Sequence, residues 1–376
     1  MNSDLIAVVA RGLEKVAAKE IRALGGGIGK TREDRGRVVF AGPDDAVYRA
    51  NLHLRTVERI LVPGGPAFEA KTAIQFSAVV RELPWENWIP RGVGVRIAAT
   101  VRGCDLYHTG LIGEAMREAL VYRGLSGEEA AESAPTIDVR GTGNVWTVCA
   151  DASGGSLHRR GYRKATAKAP LRETLAAALL LRCGWTGDRP FLDPMCGSGT
   201  LVAEAASIAT ERPPGLDRSF GFETFPNLDV DVWRDVVGRA RLRHEERLRQ
   251  PLPEIVGADS AKGSVRAARS NLGRAGLGDV ATILERRIQD TPPATGEPGL
   301  VVVNPPYGRR IAAGRDADSA RGEWTAWGRV LRERLPGWAL HALSPEKELA
   351  TAAGATGRPL LRTSNGGIPV ALVELA

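Results

Sequence analysis

The run Leu300–Val303 and the turn that stops it constrain this chain more than any other stretch. An unbroken apolar run reads as a strand buried on both faces, as in the middle of a parallel sheet; a strand with one wet face would alternate. Asn304-Pro305-Pro306-Tyr307 follows. Proline gives a sheet no ladder hydrogen bond, and Pro305 pushes Asn304 away from helical angles. The sequence therefore predicts a stiff turn at the carboxyl end of a central strand, where open α/β sheets place their ligands. These residue types suit a flat base with an exocyclic amine. The amine lone pair is delocalised into the ring, so it is a poor nucleophile. The Asn304 amide oxygen and the Pro305 carbonyl could accept both N–H hydrogens, with Pro305 and Pro306 fixing the geometry and Tyr307 stacking on the ring. An acceptor placed where charge develops is typically worth ~10² to 10³ in rate. The plainer alternative is a turn closing a core strand, with Tyr307 as a surface aromatic.

A second loop sits in a matching context. Pro190–Asp193 reads as a short strand and Leu201–Ala209 as a helix, with Pro194-Met195-Cys196-Gly197-Ser198-Gly199-Thr200 between them. Strand, glycine loop and helix in that order suit a nucleotide-like ligand. No Gly-Lys-Ser/Thr follows, which excludes a P-loop, and Val202 stands where the dinucleotide fingerprint has its third glycine. An acid at the strand end followed by two loop glycines suits a ligand with an amino-acid portion. Asp193 would face an ammonium while the glycines let the backbone approach. S-adenosylmethionine is such a ligand. Asp259 ends the next strand, Glu254–Ala258, and could accept both ribose hydroxyls. It lies farther from the glycines than the usual roughly 20 residues, because Thr210–Gln250 is inserted between them. Asp290 follows a third strand, Ala281–Leu284, and could meet the adenine amine; otherwise it is a plain loop aspartate.

At 376 residues the chain is too long for one ordinary core. Residues 1–62 alternate strand and helix (Leu5–Val9, Gly12–Leu24, Arg37–Phe40, Ala46–Leu54, Val57–Val62), the order of a ferredoxin-like layer. Pro63-Gly64-Gly65-Pro66 reads as a linker. Residues 63–152 form a second α/β unit, with helices over Ile74–Leu83 and Thr109–Val121 and strands over Gly94–Val101, Thr136–Arg140 and Val145–Asp151. A further helix is expected over Leu171–Cys183. No apolar run approaches the roughly 18 residues that span a bilayer, and Asp4 interrupts the only apolar stretch at the amino terminus, so neither membrane nor signal segment is expected. The four cysteines form no C-x-x-C pair and the five histidines are scattered, so no metal site is expected and a reducing cytoplasm fits.

The net charge of +7 suits an acidic partner, and two stretches carrying basic residues are candidates to meet one. Residues 153–169 carry Arg159, Arg160, Arg163, Lys164 and Lys168 with Tyr162 among them and no acid. Such a stretch suits phosphate contacts plus stacking on an unpaired base, or else is a solvated linker. The inserted Thr210–Gln250 carries Arg234, Arg239, Arg241, Arg243, Arg247 and Arg249, a second RNA-facing candidate or an ordinary exposed helix.

Taken together, Asp193–Thr200 and Asn304–Gly308 resemble the class I methyltransferases that act on exocyclic amines. The segment Leu157–Arg163 (LHRRGYR) and the helix opening Leu171–Ala178 (LRETLAAA) resemble the THUMP-domain RNA methyltransferases, and among these the bacterial 23S rRNA guanine-N2 methyltransferases of the RlmL type. Ala10-Arg11-Gly12-Leu13-Glu14 and Ala209-Thr210 with Pro213, Gly215 and Leu216 match as well. The likeness runs from about residue 4 to about residue 310 and weakens beyond.

The resemblance implies an α/β chain in four parts. These are a ferredoxin-like domain at 1–62, a THUMP RNA-binding domain at 63–152, a basic linker at 153–169, and a Rossmann-like methyltransferase domain with a mostly parallel sheet at 170–376. It implies S-adenosyl-L-methionine as methyl donor and no metal. Asp193, Gly197 and Gly199 would hold the methionine part, Asp259 the ribose and Asp290 the adenine; Thr174, Pro194, Cys196, Thr200 and Asn304 would complete the cofactor set. Asn304, Pro305, Pro306 and Tyr307 would grip the guanine, and Arg159, Arg160, Tyr162, Arg163, Lys164 and Lys168 the RNA. The implied partner is 23S rRNA in the cytoplasm, with tRNA as the alternative. In some bacteria the unit is fused to a second methyltransferase making 7-methylguanine; no second glycine loop is present in this sequence, so only the first activity is implied. DNA adenine and protein glutamine methyltransferases also use an Asn-Pro-Pro-Tyr turn, but the THUMP-like half disfavours DNA and the basic charge disfavours protein. A non-catalytic RNA-binding assembly protein is the remaining rival, and the intact Asp193, Gly197, Gly199, Asp259 and Asn304 speak against it.

Overall fold

The computed structural model describes residues 3–130, 134–163, 171–292, 296–306 and 317–376. The chain divides into two compact units, one made of Met1–Val9, Ala18–Leu157 and Asp217–Gly238, the other of Ala10–Ala17, His158–Leu216 and Arg239–Ala376.

In chain order the first elements are β1 (Ser3–Val9), α1 (Glu14–Ala23), β2 (Thr31–Asp34), β3 (Arg37–Gly42), α2 (Ala46–His53) and β4 (Val57–Pro63). Then come β5 (Phe68–Glu69), α3 (Ala73–Val80), β6 (Arg96–Arg102), α4 (Thr109–Tyr122), β7 (Thr136–Thr142) and β8 (Val145–Asp151). The strands form one sheet in the order β2-β3-β1-β4-β8-β7-β6, with β5 also on β8. Only β6 and β7 pair in parallel. β4 pairs with β8 through Leu61↔Asp151, Val62↔Ala150 and Pro63↔Cys149, so the sheet continues across the expected linker. Gly64 extends it by donating its N–H to the Val148 carbonyl at 2.9 Å. Pro63 and Gly64 are therefore tied into the sheet, so the first half of the expected linker Pro63–Pro66 is not free. β2 is a strand that patterning does not reveal: Thr31–Asp34 carries no apolar side chain and depends on its ladder to β3. In the core of this unit the indoles of Trp85 and Trp146 are fully buried and donate to the carbonyls of Val80 and Ala70, each at 2.8 Å, which satisfies the one polar atom each ring carries.

The Thr210–Gln250 insertion is only partly the basic surface its arginines suggest. Its stretch Asp217–Gly238 belongs to the first unit. Phe222 packs 4.9 Å from Tyr48, 5.3 Å from Phe220 and 5.0 Å from Trp233, ring centre to ring centre. Arg218 donates to the carbonyls of Ser153, Gly155 and Ser156. The helix α5 (Glu173–Arg182), strand β9 (Phe191–Asp193), helix α6 (Thr200–Ala209) and helix α7 (Val230–Leu248) come next in the chain. On α7, Arg241 and Arg243 are exposed, as is Arg249 just past its end; Arg234 pairs with Asp231, and Arg247 donates to the Pro251 carbonyl beyond the helix.

The second unit continues with β10 (Ile255–Asp259), α8 (Lys262–Arg274), β11 (Thr282–Glu285), β12 (Leu300–Val303), α9 (Ala317–Arg334), β13 (Ala339–Ser344), α10 (Lys347–Ala352), β14 (Leu361–Asn365) and β15 (Ile368–Leu375). Its sheet runs β11-β10-β9-β12-β13-β15-β14. The strands are parallel except β15, which is antiparallel to both β13 and β14. β12 is wholly buried, and its residues serve two cores by turns. Leu300 and Val302 join the core of α5, α6 and α8, while Val301 and Val303 meet Trp324, Trp327 and Leu331 of α9. That division explains why the run is continuous rather than alternating. Gly12 also lies in this unit, with φ +89°, and an added Cβ would fall 1.8 Å from the Arg362 carbonyl oxygen, so only glycine fits against β14. The direction of chain travel reverses between β9 and β12, which opens a crevice at their carboxyl ends.

Candidate active site

Three strand ends meet at that crevice. In the register of the sheet, Asp193 aligns with Gly257 of β10, while Val301 and Leu192 are neighbours on β12 and β9. The ends of β10 and β12 therefore flank Asp193, bringing Asp259 and Asn304 to either side of it. A cavity of about 1050 Å³ opens between them.

The loop after β9 is stitched to β10. The Cys196 N–H donates to the Ala258 carbonyl at 2.8 Å, and the Gly197 N–H donates to Asp259 Oδ2 at 2.9 Å. Asp259 Oδ1 accepts from the Ala261 N–H at 2.8 Å, which starts α8. Gly197 and Gly199 have φ of +54° and +81°, and at Gly199 a Cβ would stand 3.0 Å from that of Ala268. This position thus needs glycine both for its angle and for the approach of α8. Asp193 is 2% exposed and, among the described residues, accepts one hydrogen bond, from the Met195 N–H at 3.1 Å. Burial, reinforced by the charge of Asp259, pushes its carboxyl up to about 8. A cation arriving there would restore the carboxylate. Burial likewise pushes the Cys196 thiol upward, so it is no nucleophile at neutral pH.

Asn304 ends β12 with its Oδ1 buried and without a hydrogen-bond partner among the described residues. An orphaned buried acceptor costs about 1–3 kcal/mol, and a ligand N–H can satisfy it. Pro305 beside it is buried and Pro306 is exposed at the cavity rim. Tyr307, Lys164 and Lys168 lie outside the described residues.

Of the predicted cofactor set, Asp193, Pro194, Cys196, Gly197 and Thr200 line the cavity, as do Asp259, Asp290 and Asn304. Gly199 lies behind the lining, packed on α8, and Thr174 is buried in the first turn of α5. Sequence reasoning missed Ser260 and Ser264, which line the cavity from the start of α8. Their signal was present: Asp259 followed by a helix repeats the strand–acid–helix pattern of the first loop. It also missed Arg286 and Arg287 after β11 and Glu323 on α9, which no motif marks.

The basic segment is placed differently from its expectation. Arg159 is exposed, but Arg160 and Tyr162 are buried, and both meet Glu204 Oε1 of α6, at 3.4 and 3.5 Å. Arg163 is half-buried and donates to the Leu171 carbonyl at 2.9 Å and to Glu173 at 3.2 Å. The expectation that Arg160 grips phosphate and Tyr162 stacks on a base is thus corrected: the guanidinium and the phenol are both enclosed by the protein and matched to a buried acid.

The comparisons with known proteins agree with this geometry. Residues 160–371 match the RMKL-like methyltransferase domain, and residues 4–61 match the RlmL ferredoxin-like domain. The ribosomal RNA large subunit methyltransferase K/L of Syntrophotalea carbinolica is 35% identical over 98% of this chain, which spans only 53% of that protein. The protein slr0064 of Synechocystis sp. is 31% identical over 98% of this chain and 95% of its own length. The crystal structure of SMU.472 complexed with SAH superposes with a TM-score of 0.87 at 29% identity, covering 100% of this chain and 98% of that one.

S-adenosylmethionine is the methyl donor of this family, and the residues present fit it. Asp193 would offer its buried carboxyl to the ammonium, the glycines would let the ligand approach the backbone, and Asp259 would accept from the hydroxyls. A mostly parallel sheet that reverses between β9 and β12, a glycine loop tied to its neighbouring strand, an Asn304 acceptor without a partner among the described residues and a family match over more than half the sequence lead to one assignment: the chain belongs to the RMKL-like, S-adenosylmethionine-dependent methyltransferases.

Proposed function

We propose that this protein methylates RNA, and that its acceptor is the exocyclic N2 of a guanine in 23S rRNA. The observation that carries the chemistry is Asn304 Oδ1, a buried acceptor with no partner among the described residues, on the same cavity as Asp193 and Asp259. S-adenosylmethionine supplies an electrophilic methyl group when bound. Asn304 would accept one N–H of the amine and hold the nitrogen towards that group, helped by the Pro305 carbonyl. Two consecutive prolines restrict the turn, so this orientation costs little at the moment of reaction. Tyr307 would cover the base. Asp193, Pro194, Cys196, Gly197, Gly199 and Thr200 with Thr174 would hold the amino-acid end of the donor, Asp259 its ribose and Asp290 its adenine.

An RNA substrate is supported by the name of the Syntrophotalea relative and by the charge of +7. In this reading residues 63–152 are a THUMP-type RNA-binding domain beside the ferredoxin-like one, residues 170–376 are the catalytic domain, and the protein works in the cytoplasm. A guanine in structured RNA must leave its stack, at a cost of a few kcal/mol, and RNA contacts outside the cavity would offset this. Arg159, Lys164 and Lys168 remain proposed for those contacts, together with exposed Arg241 and Arg243 of α7 and Arg249 just beyond it.

Nucleoside mass spectrometry tests the reading. The protein and S-adenosylmethionine are incubated with unmodified 23S rRNA and, separately, with tRNA and duplex DNA. New N2-methylguanosine in 23S rRNA alone is the expected result. The same nucleoside in tRNA alone would move the substrate and keep the chemistry, and methyladenine in DNA would overturn the RNA assignment.

A further inference from the structure

Behind the glycine loop lies a chain of side chains that touches no ligand position yet ends on the cavity wall. Arg274, at the end of α8, donates from Nε to the Tyr162 carbonyl at 2.6 Å and from Nη2 to Asn271 Oδ1. Asn271 is 1% exposed and donates from Nδ2 to the Ser198 carbonyl at 2.9 Å. A guanidinium can only donate, so Arg274 fixes which end of the Asn271 amide is oxygen and turns its NH₂ towards Ser198. A second arm starts at Arg163. Its Nη1 lies 2.9 Å from the Leu171 carbonyl and 3.5 Å from Thr200 Oγ1, and its Nη2 is 3.2 Å from Glu173 Oε2. Ser198, Thr200 and Leu171 all line the cavity.

We propose that Arg163, Arg274 and Asn271 are positioning residues for the methyl-donor loop, and that the segment His158–Arg163 acts through them on S-adenosylmethionine affinity rather than on RNA. The proposal rests on the reading that this loop holds S-adenosylmethionine. Its physical reason is the loop's own freedom. Ser198 stands between Gly197 and Gly199, both at positive φ, where glycine adopts either sign at little cost. The Ser198 peptide has no side-chain sterics on either side to choose its orientation, and its rotation would re-aim the backbone of a residue that lines the cavity. The Asn271 hydrogen bond selects one orientation, and Arg163 holds the first residue of α6 just beyond it. Both clamps hang from the same short segment, at Tyr162 and at Arg163. The donors of Arg163 are engaged by Leu171, Thr200 and Glu173, a fork that lysine cannot reproduce with a single point charge.

The charge-conserving variant Arg163→Lys separates this role from a phosphate contact, which a lysine also makes. Asn271→Asp keeps the acceptor for Arg274 but sets a carboxylate oxygen against the Ser198 carbonyl. Full-length protein is assayed for S-adenosylmethionine and S-adenosylhomocysteine Kd by calorimetry, for KM and kcat separately, and for RNA affinity across a salt series. Each variant is expected to bind both small molecules about tenfold more weakly, the loss of a single well-placed hydrogen bond, with kcat at saturating donor and the RNA salt slope near wild type. A merely structural role would lower Tm and leave KM unchanged at temperatures well below it. Should Asn271→Asp fail to fold, Arg163→Lys and Arg274→Lys carry the test. Unchanged Kd in the folded variants, or a weakened RNA affinity with a shallower salt slope, overturns the proposal. A wild-type protein that binds neither small molecule removes the donor-site reading itself, and the proposal with it.

Discussion

The loop Pro194–Thr200 and the segment His158–Arg163 look alike in the sequence: short, polar, carrying glycine, each beside an apolar helix. The structure treats them in opposite ways. Among the described residues the loop leaves Asp193 with a single hydrogen bond, and a cavity opens in front of it. The segment turns Arg160 and Tyr162 inward onto Glu204. Cations with an interleaved aromatic are the composition of an RNA surface, but they are also the composition of a buried ionic anchor. What decides between them is an acid elsewhere in the chain.

The comparison is broken most sharply at Arg160. Removing one partner of a buried ion pair strands the other charge, typically a loss of about 3–5 kcal/mol. Arg160→Ala should therefore lower Tm by many degrees in thermal denaturation, whereas an RNA-facing arginine would leave Tm in place and weaken RNA binding. On the loop side of the comparison, Asn304→Ala should reduce kcat by ~10² to 10³ with RNA affinity little changed. Single-turnover methyl transfer at saturating donor measures this, and equal turnover by variant and wild type would falsify the assigned role of Asn304.

A smaller effect sharpens the account of Asp193. Its carboxyl, pushed up to about 8, is largely protonated at pH 6.5, while an ammonium ligand needs the carboxylate. Donor affinity should rise with pH between about 6 and 7.5, at most tenfold per unit, with proton release on binding. Calorimetry in buffers of different ionisation enthalpy reads that proton, and Asp193→Asn should abolish it. The stability sign follows from the same shift. A carboxyl raised in the folded state stabilises fully below its unfolded value and loses that contribution as pH rises through about 8. Asp193→Asn without ligand should accordingly gain Tm relative to wild type above pH 8. The smallest effect is expected at exposed Arg159, where Arg159→Ala should reduce the salt slope of RNA binding by no more than about one unit.

Much of the second unit was legible because its signals are local. The β12 run needed only its four neighbours in sequence to declare burial on both faces, and the register then placed Asn304 beside Asp193. The glycine loop needed only a strand before it and a helix after it. What escaped depends on partners far along the chain. β2 is a strand because β3 lies beside it, not because Thr31–Asp34 favours one. Tyr162 and Arg160 are buried because Glu204 stands 42 and 44 residues away. A lone glutamate inside the otherwise apolar helix TLVAEAASIA was the available hint that something cationic had to meet it. The aromatic cluster of Phe220, Phe222 and Trp233 was hidden in the same way, since its Tyr48 partner precedes it by most of two hundred residues.

That cluster has a consequence for how the protein is born. Every strand of the first unit has been made once Asp151 is synthesised, yet Phe222 and Trp233, which pack against Tyr48, come some eighty residues later. At about 5–20 residues per second, a ribosome needs roughly 4–16 s to deliver them. For that interval the nascent sheet waits with Tyr48 uncovered, and the first unit completes its packing only after the donor loop of the second has already been made.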